Sequence, residues 1–140
     1  MVRDAILESA TELFTEHGYA NTTLADIARN AAITMSNIYN YYDSKIDVLF
    51  AIYEPWFDER MDYLERETKK IEDPKERMRF LLKYMFSDLP ADSNCFANNY
   101  MQAIVTRKSD ENYSRDLLLR SEKKISNVIR KAVPESAQAG

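Results

Sequence analysis

The sequence predicts an all-α protein, and three observations support that class. Only two glycines and four prolines interrupt 140 residues, which is too few for a turn-rich β fold. Apolar residues recur at helical spacing from the start of the chain. Helix-capping residues stand in front of several of these apolar segments.

The first helix is predicted from its apolar face. Ile6, Ala10 and Phe14 recur at four-residue intervals, which places them on one side of a helix. Gly18 stands where a left-handed C-cap is expected. We therefore predict a helix over residues 2–17.

Two short helices follow. Thr23 with Asp26 three residues later is a variant of the capping box and predicts a helix over 23–30. Thr34 can cap a third helix running to about residue 41. Helices two and three, with the short turn between them, form a helix-turn-helix, and helix one supplies the third apolar face.

The remaining chain is also predicted to be helical. Ser44-x-x-Asp47 begins a long helix over 44–70, and Pro55 inside it predicts a kink. Asp73-Pro74 provides an N-cap and first position for the next helix. The later helices are predicted over 74–87, 93–108 and 110–132, with Pro134 ending the last.

Composition restricts the function less than the motifs do. The net charge is −4, and residues 1–46 hold three basic and six acidic residues, so no basic surface announces a nucleic-acid partner. No apolar stretch is long enough to span a membrane, and the first residues lack the apolar core of a secretory signal. Cys95 is the only cysteine, which excludes an internal disulfide. We expect a soluble, cytoplasmic protein without metal or cofactor.

The third helix carries the clearest functional pattern. Met35, Ser36, Asn37 and Asn40 are uncharged and mostly polar, which is unusual for a surface that only meets water. In a helix-turn-helix, the second helix of the motif enters the major groove, where amides pair with adenine and other groups meet other base edges. This pattern predicts a DNA-reading helix.

The first fifty residues resemble the TetR family of transcriptional regulators. The shared residues occur in order and without a gap over residues 2–50: Ala10, Leu13-Phe14, Gly18-Tyr19, Thr22-Thr23, Ile27-Ala28, Ile38-Tyr39, Tyr41-Tyr42, Ser44-Lys45 and Leu49. Ala32 and Ser36 stand where the family often has glycine, and Ile46 where it often has Glu. Ala32 suggests a turn that tolerates a side chain.

The resemblance implies a DNA surface. Its phosphate contacts would be Thr23, Thr34, Tyr39, Tyr41 and Lys45, and its base contacts Met35, Ser36, Asn37 and Asn40. Lys45 lies at the start of a helix, where its cation is poorly placed for the helix dipole, so a phosphate partner suits it. Tyr42, four residues after Ile38, is expected in the core instead.

The later helices are rich in aromatic and methionine side chains. Single residues of this kind are more often ordinary core, but a lining of such side chains between helices also suits an apolar ligand. The resemblance implies an effector pocket there, for which Trp56, Tyr84, Phe96 and Tyr100 are the predicted lining residues. The predicted domains are therefore a helix-turn-helix DNA-binding domain over 1–46 and a helical ligand-binding and regulatory domain over 47–140, the latter incomplete.

Three functions are compatible with this pattern. The favoured one is a homodimeric repressor that leaves a palindromic double-stranded operator when a small apolar or aromatic effector binds. An enzyme is disfavoured, because the chain has one histidine, one cysteine and no glycine-rich phosphate loop. The third is an interaction module that kept the helix-turn-helix but lost DNA, which the acidity of residues 1–46 favours. Because proteins of this family are usually longer, the sequence is expected to lack the last two helices, through which they dimerise.

Overall fold

The structure, a computed structural model, describes residues 1–92, 95–106 and 112–132, with side chains from 119 onward in the last range. Every regular element in these ranges is helical. The α-helices are α1 (Val2–His17), α2 (Leu24–Asn30), α3 (Met35–Tyr39), α4 (Lys45–Lys69), α5 (Pro74–Lys83), α6 (Phe96–Thr106) and α7 (Asn112–Ala132), and a π-helical segment, Tyr84–Asp88, follows α5. The all-α prediction is confirmed.

The first three helices pack around a shared apolar core. Ile6, Phe14, Ile27 and Ile38 are almost completely buried, and they come from all three helices. Ser9 of α1 is buried as well, and its hydroxyl donates to the carbonyl oxygen of Ile27 at 3.0 Å. Because this bond satisfies the buried hydroxyl, α1 and α2 are fixed against each other by polar as well as apolar contacts.

The contacts divide the chain into two compact units at a different place from the sequence-based domains. The first unit comprises Met1–Glu54 and Asp92–Glu111, and the second comprises Pro55–Ala91 and Asn112–Gly140. The first ten residues of α4 therefore pack with α1–α3, and so does α6. The reason is long-range: α6 bonds to the segment after α1, a contact between residues about 80 positions apart that no local pattern reveals.

The second unit has its own core and ion pairs. Buried side chains from α4, α5 and α7 form the core, and they are Phe57, Met61, Leu64, Leu81 and Val128. Lys131 of α7 lies 3.0 Å from a carboxylate oxygen of Glu65 on α4. Lys124 and Asp58 make a second pair between the same two helices at 2.6 Å.

The N-cap predictions for α2, α3 and α5 are confirmed. At the start of α4, the Asp47 carboxylate accepts from the Ser44 N–H and from the Ser44 Oγ, each at 3.0 Å, which is one half of the predicted reciprocal cap. Thr23 and Asp26 form a reciprocal capping box, Thr34 accepts from the backbone N–H of Asn37, and Asp73 caps α5 with Pro74 at its first turn. Gly18 has a positive φ of 85°, but its ψ of 157° is extended rather than left-handed helical. The prediction of a left-handed helical C-cap at Gly18 is therefore wrong, although the positive φ that favours glycine is present.

Helix ends differ from the predictions mainly in short elements. α3 ends at Tyr39 rather than near residue 41. The Asn40 N–H still donates to the Ser36 carbonyl oxygen at 3.1 Å as in an α-helix, whereas the Tyr41 N–H donates to the Ile38 carbonyl oxygen at 2.9 Å in a tighter turn. The predicted 74–87 helix becomes α-helical to Lys83 and π-helical thereafter. Pro134 and parts of the predicted ends near 93 and 108–111 lie outside the described residues. Within the described ranges, none of the helices has the length and apolar character that crossing a bilayer requires.

Candidate nucleic-acid interface

The capping box sets the start of α2. The hydroxyl oxygen of Thr23 accepts from the Asp26 N–H at 3.0 Å, and the Asp26 carboxylate accepts from the Thr23 N–H at 2.9 Å. The backbone hydrogen bond from Thr23 holds the pKa of Asp26 below its ordinary value. The start of α2 is therefore fixed by local bonds.

The turn between α2 and α3 contains a strained residue. Ala32 has a φ of 57°, in the left-handed region that residues with a Cβ rarely adopt. The Ile33 N–H donates to the Ala28 carbonyl oxygen at 3.0 Å and closes the turn. The turn therefore has room for the Ala32 side chain, as expected. Its backbone conformation, however, is one that glycine adopts more easily than alanine.

Over residues 34–40, the side chains predicted to meet DNA are uncharged and lie on α3 and its two ends. Ser36 and Asn40 are exposed, whereas Met35 and Asn37 are half-buried. Thr34 is exposed, and its oxygen accepts from the Asn37 N–H at 3.2 Å. Ile38 alone in this segment is fully buried, so the helix is anchored by its apolar side and presents the opposite side to solvent.

The tyrosines after Ile38 separate into two groups. Tyr39 is 53% and Tyr41 50% exposed, which is high for aromatic rings in a small helical unit. Tyr42 is half-buried, and its hydroxyl accepts from the Arg3 Nε at 3.4 Å. Tyr42 was expected in the core, but it is only half-buried, because its hydroxyl lies at the surface against Arg3. The bond to Arg3 joins residues 39 positions apart and has no local signal in the sequence.

Lys45 occupies a defined position at the start of α4. Its Nζ donates to the Tyr19 carbonyl oxygen at 2.8 Å and lies 4.1 Å from the centroid of the Tyr19 ring. A lysine ammonium has three donors, so this contact still allows an approach to phosphate. The structure adds an intramolecular partner that the sequence did not predict.

Arg29 is an exposed cation that the sequence-based assignment missed. Its guanidinium lies 3.3 Å from the Asp26 carboxylate, and its side chain is 77% exposed. An exposed arginine with a single weak surface pair can turn to phosphate at little cost. The signal was available in the sequence as one of only three basic residues before position 47.

The four predicted effector residues are divided between the two compact units. Phe96 and Tyr100 of α6 belong to the first unit, and Trp56 and Tyr84 to the second. Phe96 and Tyr84 are buried, and Trp56 and Tyr100 are half-buried.

The rings of Tyr100 and Tyr84 pack on other aromatic rings within their own units. Tyr100 stacks on Tyr53 with ring centroids 4.9 Å apart and planes 3° from parallel. Burial raises the pKa of both Tyr53 and Tyr84. Tyr84 packs against Tyr63 with centroids 5.6 Å apart. An effector-binding role for the four predicted residues stays a prediction.

The described side chains around α3 offer hydroxyl and amide groups for surface recognition. Among them, no group of three or more histidine, cysteine, aspartate or glutamate residues is placed to hold a metal ion. The arrangement that stands out is a short, capped helix with hydroxyl and amide groups on its accessible side. Together with α1 and α2, it defines a helix-turn-helix protein.

A family comparison covers this same region. Residues 6–52 match the family of bacterial regulatory proteins called the tetR family. The match includes α1, α2, α3 and the start of α4, so this part of the chain is similar to the helix-turn-helix region of tetR-family regulators. The resemblance seen in the sequence is thereby confirmed.

Individual relatives agree with the family. The chain is 28% identical over 123 residues to IcaR of Staphylococcus epidermidis, the negative transcriptional regulator of the biofilm operon icaADBC, covering 79% of this chain and 66% of the relative. It is 37% identical over 93 residues to the transcriptional regulator TtgR of Pseudomonas putida, covering 65% of this chain and 44% of the relative.

One solved structure is similar over nearly the whole chain. It is the complex of SmeT with triclosan, with a TM-score of 0.63 and 25% identity over 94% of this chain and 63% of that chain. SmeT is the repressor of a Stenotrophomonas maltophilia multidrug efflux pump. The chain spans between about a third and two thirds of the length of the first curated relatives that it matches. These relatives are transcriptional regulators, and the family is not one of enzymes.

Proposed function

We propose that this protein is a sequence-specific DNA-binding transcriptional regulator that reads the major groove with α3. The observation that carries the proposal is the uncharged accessible side of α3, with Ser36 and Asn40 exposed opposite the buried Ile38. Hydroxyl and amide groups can form hydrogen bonds with base edges without demanding a counter-charge. The TetR-family match over 6–52 supports the same use of this helix.

The proposed contacts divide into base readers and phosphate anchors. Met35, Ser36, Asn37 and Asn40 are the proposed base readers, and Thr23, Thr34, Tyr39, Tyr41 and Lys45 the proposed phosphate anchors. Phosphate contacts fix position without reading sequence, whereas base contacts specify. The exposure of Tyr39 and Tyr41 supports their use as anchors, because half of each side chain is open to a partner.

The finer parts of the proposal concern symmetry and control. A homodimer would place two copies of α3 about 34–36 Å apart on a palindromic site in the cytoplasm. Repression is favoured by IcaR, a negative regulator, and release by a small apolar effector is favoured by SmeT, which binds triclosan. The effector would have to prefer the conformation that does not fit DNA.

Selection of bound duplexes from a random pool tests the proposal. The expected outcome is an enriched inverted repeat, whose affinity falls as salt rises because phosphate contacts release counterions. Enrichment of a site without two-fold symmetry would contradict the proposed homodimer but would still support sequence-specific DNA binding. Failure to enrich any sequence would overturn the proposal.

The alternative is a helix-turn-helix module that binds a protein instead of DNA. The observation in its favour is the acidic side of α1, where Glu8, Glu12 and Glu16 are all exposed. These carboxylates would repel phosphate if they faced it. Absence of any salt-sensitive DNA affinity in the wild-type chain would favour this alternative.

A further inference from the structure

The segment between α1 and α2 is held by side chains of α6. The Tyr19 N–H donates to the Asn99 Oδ1 at 3.0 Å, and the Ala20 N–H donates to the Gln102 Oε1 at 2.9 Å. Two successive backbone donors of the helix-turn-helix region are thus satisfied from outside it. We call Asn99 and Gln102 the amide clamp.

Gly18 permits this close approach. A Cβ at Gly18 would lie 3.0 Å from the Gln102 Oε1, tighter than ordinary contacts, and the φ of 85° is itself unfavourable for other residues. The chain thus has glycine where α6 meets the backbone.

Burying the Asn99 amide costs free energy, and the bond to Tyr19 explains why an amide is nevertheless present. The side chain is only 1% exposed, and its Nδ2 is buried without a hydrogen-bond partner. An apolar residue would avoid that unsatisfied donor, but it would leave the buried Tyr19 N–H without an acceptor. The amide is therefore suited to holding the Tyr19 backbone.

Tyr19 connects the clamp to the proposed DNA surface. Its carbonyl oxygen accepts from Lys45 at 2.8 Å, its ring lies under the same ammonium, and the ring packs on Phe14 with centroids 5.5 Å apart. The N–H and the C=O of one residue thus join α6 on one side to Lys45 on the other. Any shift of the Tyr19 backbone changes where Lys45 is held.

We propose that Asn99 and Gln102 are positioning residues for DNA binding: by fixing Tyr19 and Ala20 they hold Lys45 where it can meet a phosphate. This inference rests on the proposed function. It makes α6, which lies outside the family-matched residues, a determinant of DNA affinity that touches no DNA.

The test compares variants of the 140-residue chain on a duplex selected by the wild-type chain. Gln102→Leu removes one clamp acceptor from a half-buried site, and Asn99→Leu removes the buried one. Gln102→Glu keeps a carbonyl-type acceptor, and Asn98→Leu makes the matched change at an exposed neighbour in α6. Each variant is measured for amide hydrogen exchange at positions 19 and 20 and for DNA affinity at several salt concentrations.

Loss of one hydrogen bond predicts about tenfold faster exchange at Ala20 in Gln102→Leu and roughly three- to tenfold weaker DNA binding. Gln102→Glu should restore affinity, and Asn98→Leu should match wild type. In a Lys45→Ala background, Gln102→Leu should have no further effect on affinity, which a merely structural role would not produce.

Two results would overturn the inference, and they differ from failure of the proposed function. Faster exchange with unchanged affinity would show that the clamp does not govern binding. An equal loss in the presence and absence of Lys45 would show that the clamp does not act through that residue. If the wild-type chain selects no duplex at all, the proposed function and the inference fall together.

Discussion

Ala32 is a residue whose backbone conformation does not suit its side chain. Its φ of 57° places a Cβ in the left-handed region, at a cost of about 1–2 kcal/mol. Ala32→Gly should remove that strain, partly offset by the greater freedom of glycine in the unfolded chain. We expect a net gain of about 0.5–1 kcal/mol in the free energy of unfolding, measured by urea denaturation.

The neighbouring alanine provides the control for Ala32. Ala31 has an ordinary right-handed helical conformation with φ −83°, so Ala31→Gly should only lose stability. Opposite signs at adjacent positions would tie the gain at Ala32 to its backbone conformation. A loss at both positions would contradict the assignment of strain to Ala32.

Asp26 links the start of α2 to pH. Because hydrogen bonds from Thr23 lower the folded-state pKa of Asp26 below 3.8, its stabilising contribution is present above that value. The contribution is lost as pH falls through the lowered folded value. The stability difference between wild type and Asp26→Asn should therefore shrink as denaturation is repeated from pH 7 down to pH 3. A constant difference over that range would show that the carboxylate charge is not involved.

At the scale of elements, local signals predicted where helices begin better than they predicted whether a segment is α-helical or π-helical. Thr23, Thr34 and Asp73 each cap a helix as predicted, because a capping bond joins residues two or three positions apart. The π-helical segment 84–88 was missed, since an apolar pattern does not distinguish one extra residue per turn from an α-helix.

Pro55 lies inside α4, where a proline is expected to lower the stability of the helix. The helix runs from Lys45 to Lys69 with Pro55 inside it, where the proline removes one backbone donor. Pro55→Ala restores that donor and should raise the free energy of unfolding by up to about 3 kcal/mol. Asp62→Ala, an exposed change in the same helix, should alter stability by less than about 0.5 kcal/mol. Lower stability in Pro55→Ala would show that the proline fits a local bend that alanine does not maintain.

At the scale of the whole molecule, the sequence predicted the helix-turn-helix, but it did not predict that α6 belongs to the same compact unit. The helical spacing of Ile6, Ala10 and Phe14 predicted that these residues form one apolar face, and the structure buries all three. Asn99 and Gln102 gave no such signal, because polar side chains in an amphipathic helix are expected to meet water. Their bonds to Tyr19 and Ala20 depend on the tertiary fold, which spacing along one helix does not encode.

The net charge of −4 sets a particular expectation for DNA binding by the whole protein. With few cations near α3, each one should carry a measurable share of the salt dependence, about 0.9 in the slope of log affinity against log salt per phosphate neutralised. Lys45→Ala should therefore weaken binding to all sequences and flatten the slope by about one for each copy bound.

Asn37→Ala should leave the slope unchanged while relaxing preference at one base pair, at a cost of about 1–3 kcal/mol on the preferred sequence. Affinity measured on the selected duplex and on single-base variants, at several salt concentrations, separates the two effects. Identical behaviour of both variants would show that α3 and the start of α4 do not divide reading and anchoring between them.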